Sequence, residues 1–213
     1  MFAEILSKTA QRSLDRLISV PLFASAYLAG GTALALQLGH RYSHDLDFFT
    51  AKKFDEKTLV QQLHELLPDF RLEKQEWRTV LGYIKNMRFS IFFYKYPLLF
   101  ETHTFKGFQI ADVRDIAPMK IAALADRGTK RDFIDLFFIL EVHKMLKLEE
   151  TFELYEKKFG KLAQNKVHIL KSMAYFDDAK EDAMPHMIEK VEWAVVKRFF
   201  LKEQKVIAKK FLL

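Results

Sequence analysis

Apolar residues recur at three-to-four spacing through residues 3–20, where Ile5, Leu6, Leu14, Leu17 and Ile18 share a stripe, and Pro21 interrupts it. The pattern predicts a helix over 3–20. Residues 25–29 read as a short buried strand, Gly30-Gly31 as a turn, and 32–38 as a helix closed by Gly39. A second strand is predicted over 46–50. An amphipathic helix over 55–67 stops at Pro68, and the runs 70–77, 79–85 and 87–94 read as consecutive strands, with 108–111 adding one more. After Asp112 the three-to-four spacing takes over and predicts helices at 116–126, 131–144, 149–158, 164–175 and 186–211. Asp177-Asp178 and Pro185 mark breaks between the last of these. There is no internal repeat. The order of elements describes a mixed α/β amino-terminal half followed by a helical half, with a boundary near Asp112.

Composition narrows the class. The 213 residues carry 34 Lys plus Arg against 28 Asp plus Glu, a formal charge of +6, and half of them are hydrophobic, which is the balance of a globular protein. The absence of Cys excludes disulfides, thiolate zinc sites and a Cys nucleophile, and it suits a reducing compartment, so a cytoplasmic location is expected. Residues 1–16 mix Glu4, Lys8, Arg12, Asp15 and Arg16 with apolar positions, unlike a signal peptide. Residues 17–40 contain no charged side chain and are long enough to span a bilayer. Pro21, Ser25, Gly30-Gly31, Thr32 and Gln37 would leave polar groups unpaired in lipid, so no membrane span is expected.

Candidate chemistry concentrates in residues 29–49. Gly30-Gly31-Thr32 lies where a strand turns into a helix, so backbone can approach a ligand closely and free amides at the helix start attract anions such as phosphate. A Gly-Gly turn before a helix also serves as a plain tight turn. Asp45 and Asp47 flank Leu46, and the strand period of two sends both carboxylates to one face. Two like charges held together call for a cation, and hard oxygen ligands beside substrate phosphates suit Mg2+. An isolated Asp-x-Asp also fits a solvated strand edge. Farther on, Lys120 and Arg127 are seven residues apart and share a helical face that Ala123 leaves open, an arrangement suited to a polyphosphate. Asp132 and Asp135 lie three apart on the next helix, and Arg131 with Asp135 forms an i,i+4 pair that can simply brace a surface.

These residues resemble a known family. Gly30-Gly31-Thr32, a helix, then Asp45-Leu46-Asp47 is similar to the signature of the DNA polymerase β-like nucleotidyltransferase superfamily. The phrasing resembles its AbiEii/AbiGii toxin branch. Lys120-Ile-Ala-Ala-Leu-Ala-Asp-Arg127 and Arg131-Asp132-Phe-Ile-Asp135-Leu136 resemble the branch's Lys-x-x-Ala-x-x-x-Arg and Arg-Asp-x-x-Asp-Leu motifs. The resemblance implies an α+β chain: a small nucleotidyltransferase-fold mixed-sheet domain over 1–111, then a helical domain over 112–213. It implies that Gly30, Gly31, Thr32, Lys120 and Arg127 bind a nucleoside triphosphate and that Asp45 and Asp47 hold Mg2+. Asp45, Asp47, Lys120 and Asp132 would form the catalytic set, with Asp135 less securely assigned. A hydroxyl would attack the α-phosphate with pyrophosphate leaving, assisted by charge neutralisation and alignment. The implied partners are an antitoxin and an RNA acceptor such as tRNA, in growth arrest or phage defence.

One position departs from the wider superfamily. The strand 87–94 carries Ser90 where many members carry a third carboxylate, which supports the rival reading of a non-catalytic nucleotide-binding or protein-interaction module. His40 and His44 flank Arg41 without further metal-ligating residues and are read as substrate contacts or surface groups, not zinc ligands. The 21 Phe are read as core packing. Over 186–213 seven Lys or Arg face three Glu, so Lys197, Arg198, Lys202 and Lys205 are expected to form a basic rim for RNA. Val191, Val195 and Phe199 would form the docking face of that helix.

Overall fold

In the computed structural model, which describes residues 1–160 and 166–211, Ser7 decides where the first helix begins. Its hydroxyl accepts from the Ala10 amide at 3.1 Å, so the predicted 3–20 helix divides into a 3-10 turn, Ala3–Ile5, and α1, Lys8–Leu17. A second 3-10 turn, Pro21–Ser25, leads into β1, Ala26–Ala29. Next come α2, Gly30–Leu38, β2, Leu46–Thr50, and α3, Glu56–Leu66, which Asp55 caps through the Thr58 amide at 2.8 Å. The remaining strands are β3, Phe70–Glu76, β4, Thr79–Ile84, β5, Met87–Phe93, β6, His103–Phe105, and β7, Phe108–Ile110. Strand β6 was not among the sequence expectations. It is short and exposed, and it exists because Lys106-Gly107 turn it back onto β7, both with positive φ.

The seven strands form one mixed sheet in the order β3-β4-β5-β2-β1-β7-β6. Strand β2 sits between β1, antiparallel, and β5, parallel, and β1 also pairs in parallel with β7. Alternation along β2 is clean, with Leu46, Phe48 and Thr50 buried while Asp47 and Phe49 are half-buried on the other face. The buried face gathers Phe23, Phe48, Phe89 and Phe108, with ring centroids 4.8 Å apart for Phe23 and Phe48 and 5.3 Å for Phe48 and Phe108. This is the core of the unit Met1–Asp112.

The second unit, Val113–Leu213, is helical in its described residues. Helix α4, Val113–Asp126, starts before the predicted 116 and accommodates Pro118. Helix α5, Lys130–Phe137, runs on into a π-helical turn, Phe138–Val142, in place of one regular helix over 131–144. Then come α6, Leu148–Phe159, and α7, Lys166–Ser172. The predicted start of α7 at Gln164 lies outside the described residues. Asp177–Lys180, expected as a break, forms a short helix, α8. Helix α9 is Trp193–Phe211, so the expected start at His186 is corrected: residues 186–192 are not helical. Its start is fixed by packing, because the Trp193 ring meets Phe133 at 5.7 Å and Phe176 at 5.8 Å. The docking face is also corrected, since Val196, Phe200 and Ile207 are the buried positions and Val195 and Phe199 only partly so. Lys158 of α6 meets Asp115 of α4 at 2.8 Å with both side chains fully buried. Among the described residues no helix is long and apolar enough to cross a membrane.

Candidate active site

The first cluster is built where β1 gives way to α2. Gly30 takes φ +67, a left-handed conformation that glycine adopts without steric cost. A side chain there would also crowd the carboxylate, because a Cβ on Gly30 would stand 3.1 Å from Asp47 Oδ2. The carboxylate of Asp47 therefore lies directly over the glycine turn. The other oxygen, Asp47 Oδ1, accepts from the Ser90 hydroxyl at 2.6 Å, and register explains the contact, since Asp47 and Ser90 are paired across the parallel strands β2 and β5. Asp45 precedes β2 and is half-buried like Asp47.

Thr32 is almost fully buried, and its hydroxyl donates to the Asp45 backbone carbonyl while lying 2.7 Å from the Ser43 hydroxyl. That ties the start of α2 to the segment carrying the Asp pair. The Thr32 side chain is thus occupied within the protein, and its backbone amide, with that of Gly31, is what the helix start offers to an anion. His40 and Arg41 are buried and His44 is exposed.

The second cluster lies in the helical unit. Lys120 of α4 is buried, with its ammonium 2.9 Å from Asp132 Oδ1 and 2.6 Å from Asp135 Oδ2 of α5. Arg127 Nε donates to Asp132 Oδ2 at 3.0 Å, and the Thr129 hydroxyl donates to the same oxygen at 2.6 Å. Lys120 and Arg127 therefore do share a face, and they converge on Asp132. Asp135 is fully buried against Lys120, so the surface-brace reading of this residue is replaced by a buried ion pair. Burial pushes the Asp132 carboxyl up, but the charges of Lys120 and Arg127 and the Arg127 and Thr129 hydrogen bonds outweigh it and hold the group well below the usual carboxylate range. The Arg127 side chain is 60% exposed even with Nε and Nη2 donating to Asp132.

Among the described residues no group of three or more His, Asp or Glu is disposed to hold a metal ion, and Asp45 and Asp47 are the half-buried carboxylates beside the Gly30 turn. That pair suits Mg2+, which retains several waters and takes one or two carboxylates together with substrate phosphates.

Comparison with known proteins places the chain in a family. The sequence model described as "Nucleotidyl transferase AbiEii toxin, Type IV TA system" matches residues 12–97 and 89–206. The chain belongs to the AbiEii nucleotidyltransferase toxin family. An uncharacterized protein of Aquifex aeolicus is 37% identical over 206 residues, spanning 94% of this chain and 96% of that one. A crystal structure of a provisionally named nucleotidyltransferase from H. pylori superposes with a TM-score of 0.58 at 22% identity, covering 95% and 93% of the two chains. JHP933 from Helicobacter pylori gives 0.55 at 23% identity, covering 95% and 90%. At such identities these two structures establish the fold, an α+β nucleotidyltransferase-like architecture.

Sequence reasoning did not assign Ser90, Ser43 and Thr129 to the network. Ser90 was noted only for the carboxylate it replaces. Its pairing with Asp47 depends on β2 inserting between β1 and β5, which strand patterns alone do not specify. Thr129 carried a weak signal, standing just before α5 where a cap is expected, yet its hydroxyl serves Asp132 instead.

Proposed function

We propose that this member of the family is a magnesium-dependent nucleotidyltransferase that moves a nucleotide from a nucleoside triphosphate to an RNA acceptor such as tRNA. It would act in the cytoplasm as the toxin of a toxin-antitoxin or phage-defence pair. The observation that carries the reading is the Asp47 carboxylate resting on the Gly30 turn at the start of α2, which brings anion-binding amides and metal-binding oxygens to one place. In this reading residues 1–111 are the nucleotidyltransferase domain and 112–213 the helical domain.

Asp45 and Asp47 would hold Mg2+, which supplies charge neutralisation on the triphosphate when bound. The Gly31 and Thr32 amides would donate to phosphate oxygens at the start of α2, and Ser90 aims Asp47 by donating to Oδ1. Lys120 and Arg127 would be the triphosphate-binding cations of the helical unit, with Asp132 orienting them. No covalent nucleophile takes part. Exposed Arg198, Lys202 and Lys205 on α9 favour a polyanionic acceptor.

A second reading, a nucleotide-binding module without turnover, draws on Ser90 in place of a third carboxylate and on a Lys120 ammonium already held by two buried aspartates. One experiment separates them. Purified protein is incubated with each labelled nucleoside triphosphate, magnesium and total cellular RNA or protein. Transfer that disappears in Asp45→Ala/Asp47→Ala supports the enzyme, whereas nucleotide binding without transfer favours the module.

A further inference from the structure

Trp77 is 88% exposed, the most exposed of the large hydrophobic side chains among the described residues. It stands at the tip of the β3–β4 hairpin, and both Trp77 and its neighbour Arg78 have φ +53. A two-residue hairpin turn of this kind is ordinarily made by Asn-Gly or Gly-Gly, because side chains resist the left-handed region. A bulky indole there is strained and gains no burial. Strain without burial is the signature of a residue kept for a contact outside the chain.

The hairpin tip lies at one end of a continuous strip. Arg78 O accepts from the Phe93 amide at 2.8 Å, and Thr50 O accepts from the Tyr94 amide at 2.8 Å, so the tip and the ends of β2 and β5 are side by side. On the sheet face that carries Asp47, the next row is Tyr27, Phe49 and Phe92, stacked with centroids 5.8 and 5.2 Å apart. Tyr94 meets Phe49 at 5.1 Å, and Tyr96 meets Tyr94 at 5.1 Å. Phe49, Phe92, Tyr94 and Tyr96 are all partly exposed, unlike the buried Phe48 and Phe89 of the opposite face. From Asp47 to Thr50 the strand covers about 10 Å.

Charge at this end of the sheet is asymmetric. Lys52, Lys53, Lys57, Lys95 and Arg78 are exposed. The neighbouring acids are engaged, since Asp55 caps α3, Glu56 accepts from the Arg78 amide and Glu76 pairs with Lys74. Aromatic rings interleaved with exposed cations, two of which, Arg78 and Lys95, lie over the Phe93 and Tyr96 rings, are what an unpaired nucleic-acid strand requires, rings for its bases and cations for its phosphates.

We propose that the strip from Asp47 through Phe49, Phe92 and Tyr94 to Trp77 is a track for a single-stranded RNA end, with Trp77 stacking on an unpaired base and Lys52, Lys53 and Lys95 meeting phosphates. The proposal rests on the transferase reading and names the form of its acceptor.

Fluorescence anisotropy with a fluorescein-labelled, unstructured 12-nucleotide RNA and a duplex of the same sequence tests it. The single strand binds more tightly than the duplex. Trp77→Gly weakens that binding roughly 5- to 100-fold while raising the melting temperature, because glycine relieves φ +53, and Trp77→Phe retains most of the affinity. In a Trp193→Phe background, RNA quenches the remaining indole. Lys52→Gln/Lys53→Gln lowers the slope of log affinity against log salt by about 1.4. Unchanged affinity in Trp77→Gly, preference for the duplex, or a loss confined to a protein partner would overturn the track. Label transfer is measured on the same samples. Transfer by the wild type with RNA binding unchanged in Trp77→Gly sinks the track and leaves the enzyme, while Trp77-dependent binding without transfer leaves the track and sinks the enzyme.

Discussion

Asp47 and Gly30 are in direct opposition: one carboxylate oxygen stands 3.1 Å from where a Cβ on residue 30 would lie. Substituting Gly30→Ala should cost about 1–2 kcal/mol from the left-handed backbone alone, and it should also displace the Asp47 carboxylate. Thermal unfolding and label transfer, read together, check this. A Gly30→Ala protein with wild-type melting and wild-type transfer would show that the turn is not under this constraint.

Ser90 offers a sharper test of the metal role. Ser90→Asp puts a second carboxylate against Asp47, and without a cation the two charges repel. The variant should melt lower than wild type in chelator and recover as magnesium is titrated in, with a larger magnesium-dependent shift than wild type. Equal melting with and without magnesium would argue against a cation at this position.

Lys120 is buried between two carboxylates, so Lys120→Met leaves Asp132 and Asp135 without their shared cation. Breaking a buried ion pair from one side costs about 3–5 kcal/mol. Denaturant titration should show that loss, and adding Asp135→Asn should recover part of it. Loss of transfer in Lys120→Met is therefore to be judged only on protein shown to be folded. No change in stability would contradict the buried pairing.

Acid should destabilise the helical unit through Asp132. Its folded carboxyl titrates below the unfolded value, near ~3.9, so its contribution is complete above that value and is lost as pH falls through it toward the lower folded one. The urea midpoint should begin to drop as pH falls through about 4 and keep dropping below about pH 3. Asp132→Asn should be less stable at pH 7 and show a flatter dependence across that window. An identical slope in the variant would place the acid sensitivity elsewhere.

Local periodicity was enough to read much of this chain. Alternation around Leu46 was legible, with Leu46, Phe48 and Thr50 turned inward and Asp47 and Phe49 to the other face, because neighbouring strand side chains must point opposite ways. The Gly30-Gly31 turn between strand and helix was equally legible, as was the common face of Lys120 and Arg127, since seven residues make two helical turns. The family resemblance rested on these same residues, and the family match bears it out.

Tertiary structure decided everything that joins residues distant in sequence. Ser90 reaches Asp47 only because β2 lies between β1 and β5, and a strand's own pattern does not name its partner. Asp135 looked like half of a surface pair until the packing of α4 against α5 buried it on Lys120. The start of α9 moved from His186 to Trp193 because an aromatic cluster with Phe133 and Phe176 holds the indole, a contact that helical spacing cannot register. The Phe residues were read as core, and Phe48 and Phe89 are; Phe49 and Phe92 alternate with them onto the other face, where only the assembled sheet lines them up with Asp47. Sequence sets the direction in which a side chain leaves its own element, while the neighbours it meets there are set by which elements pair and pack.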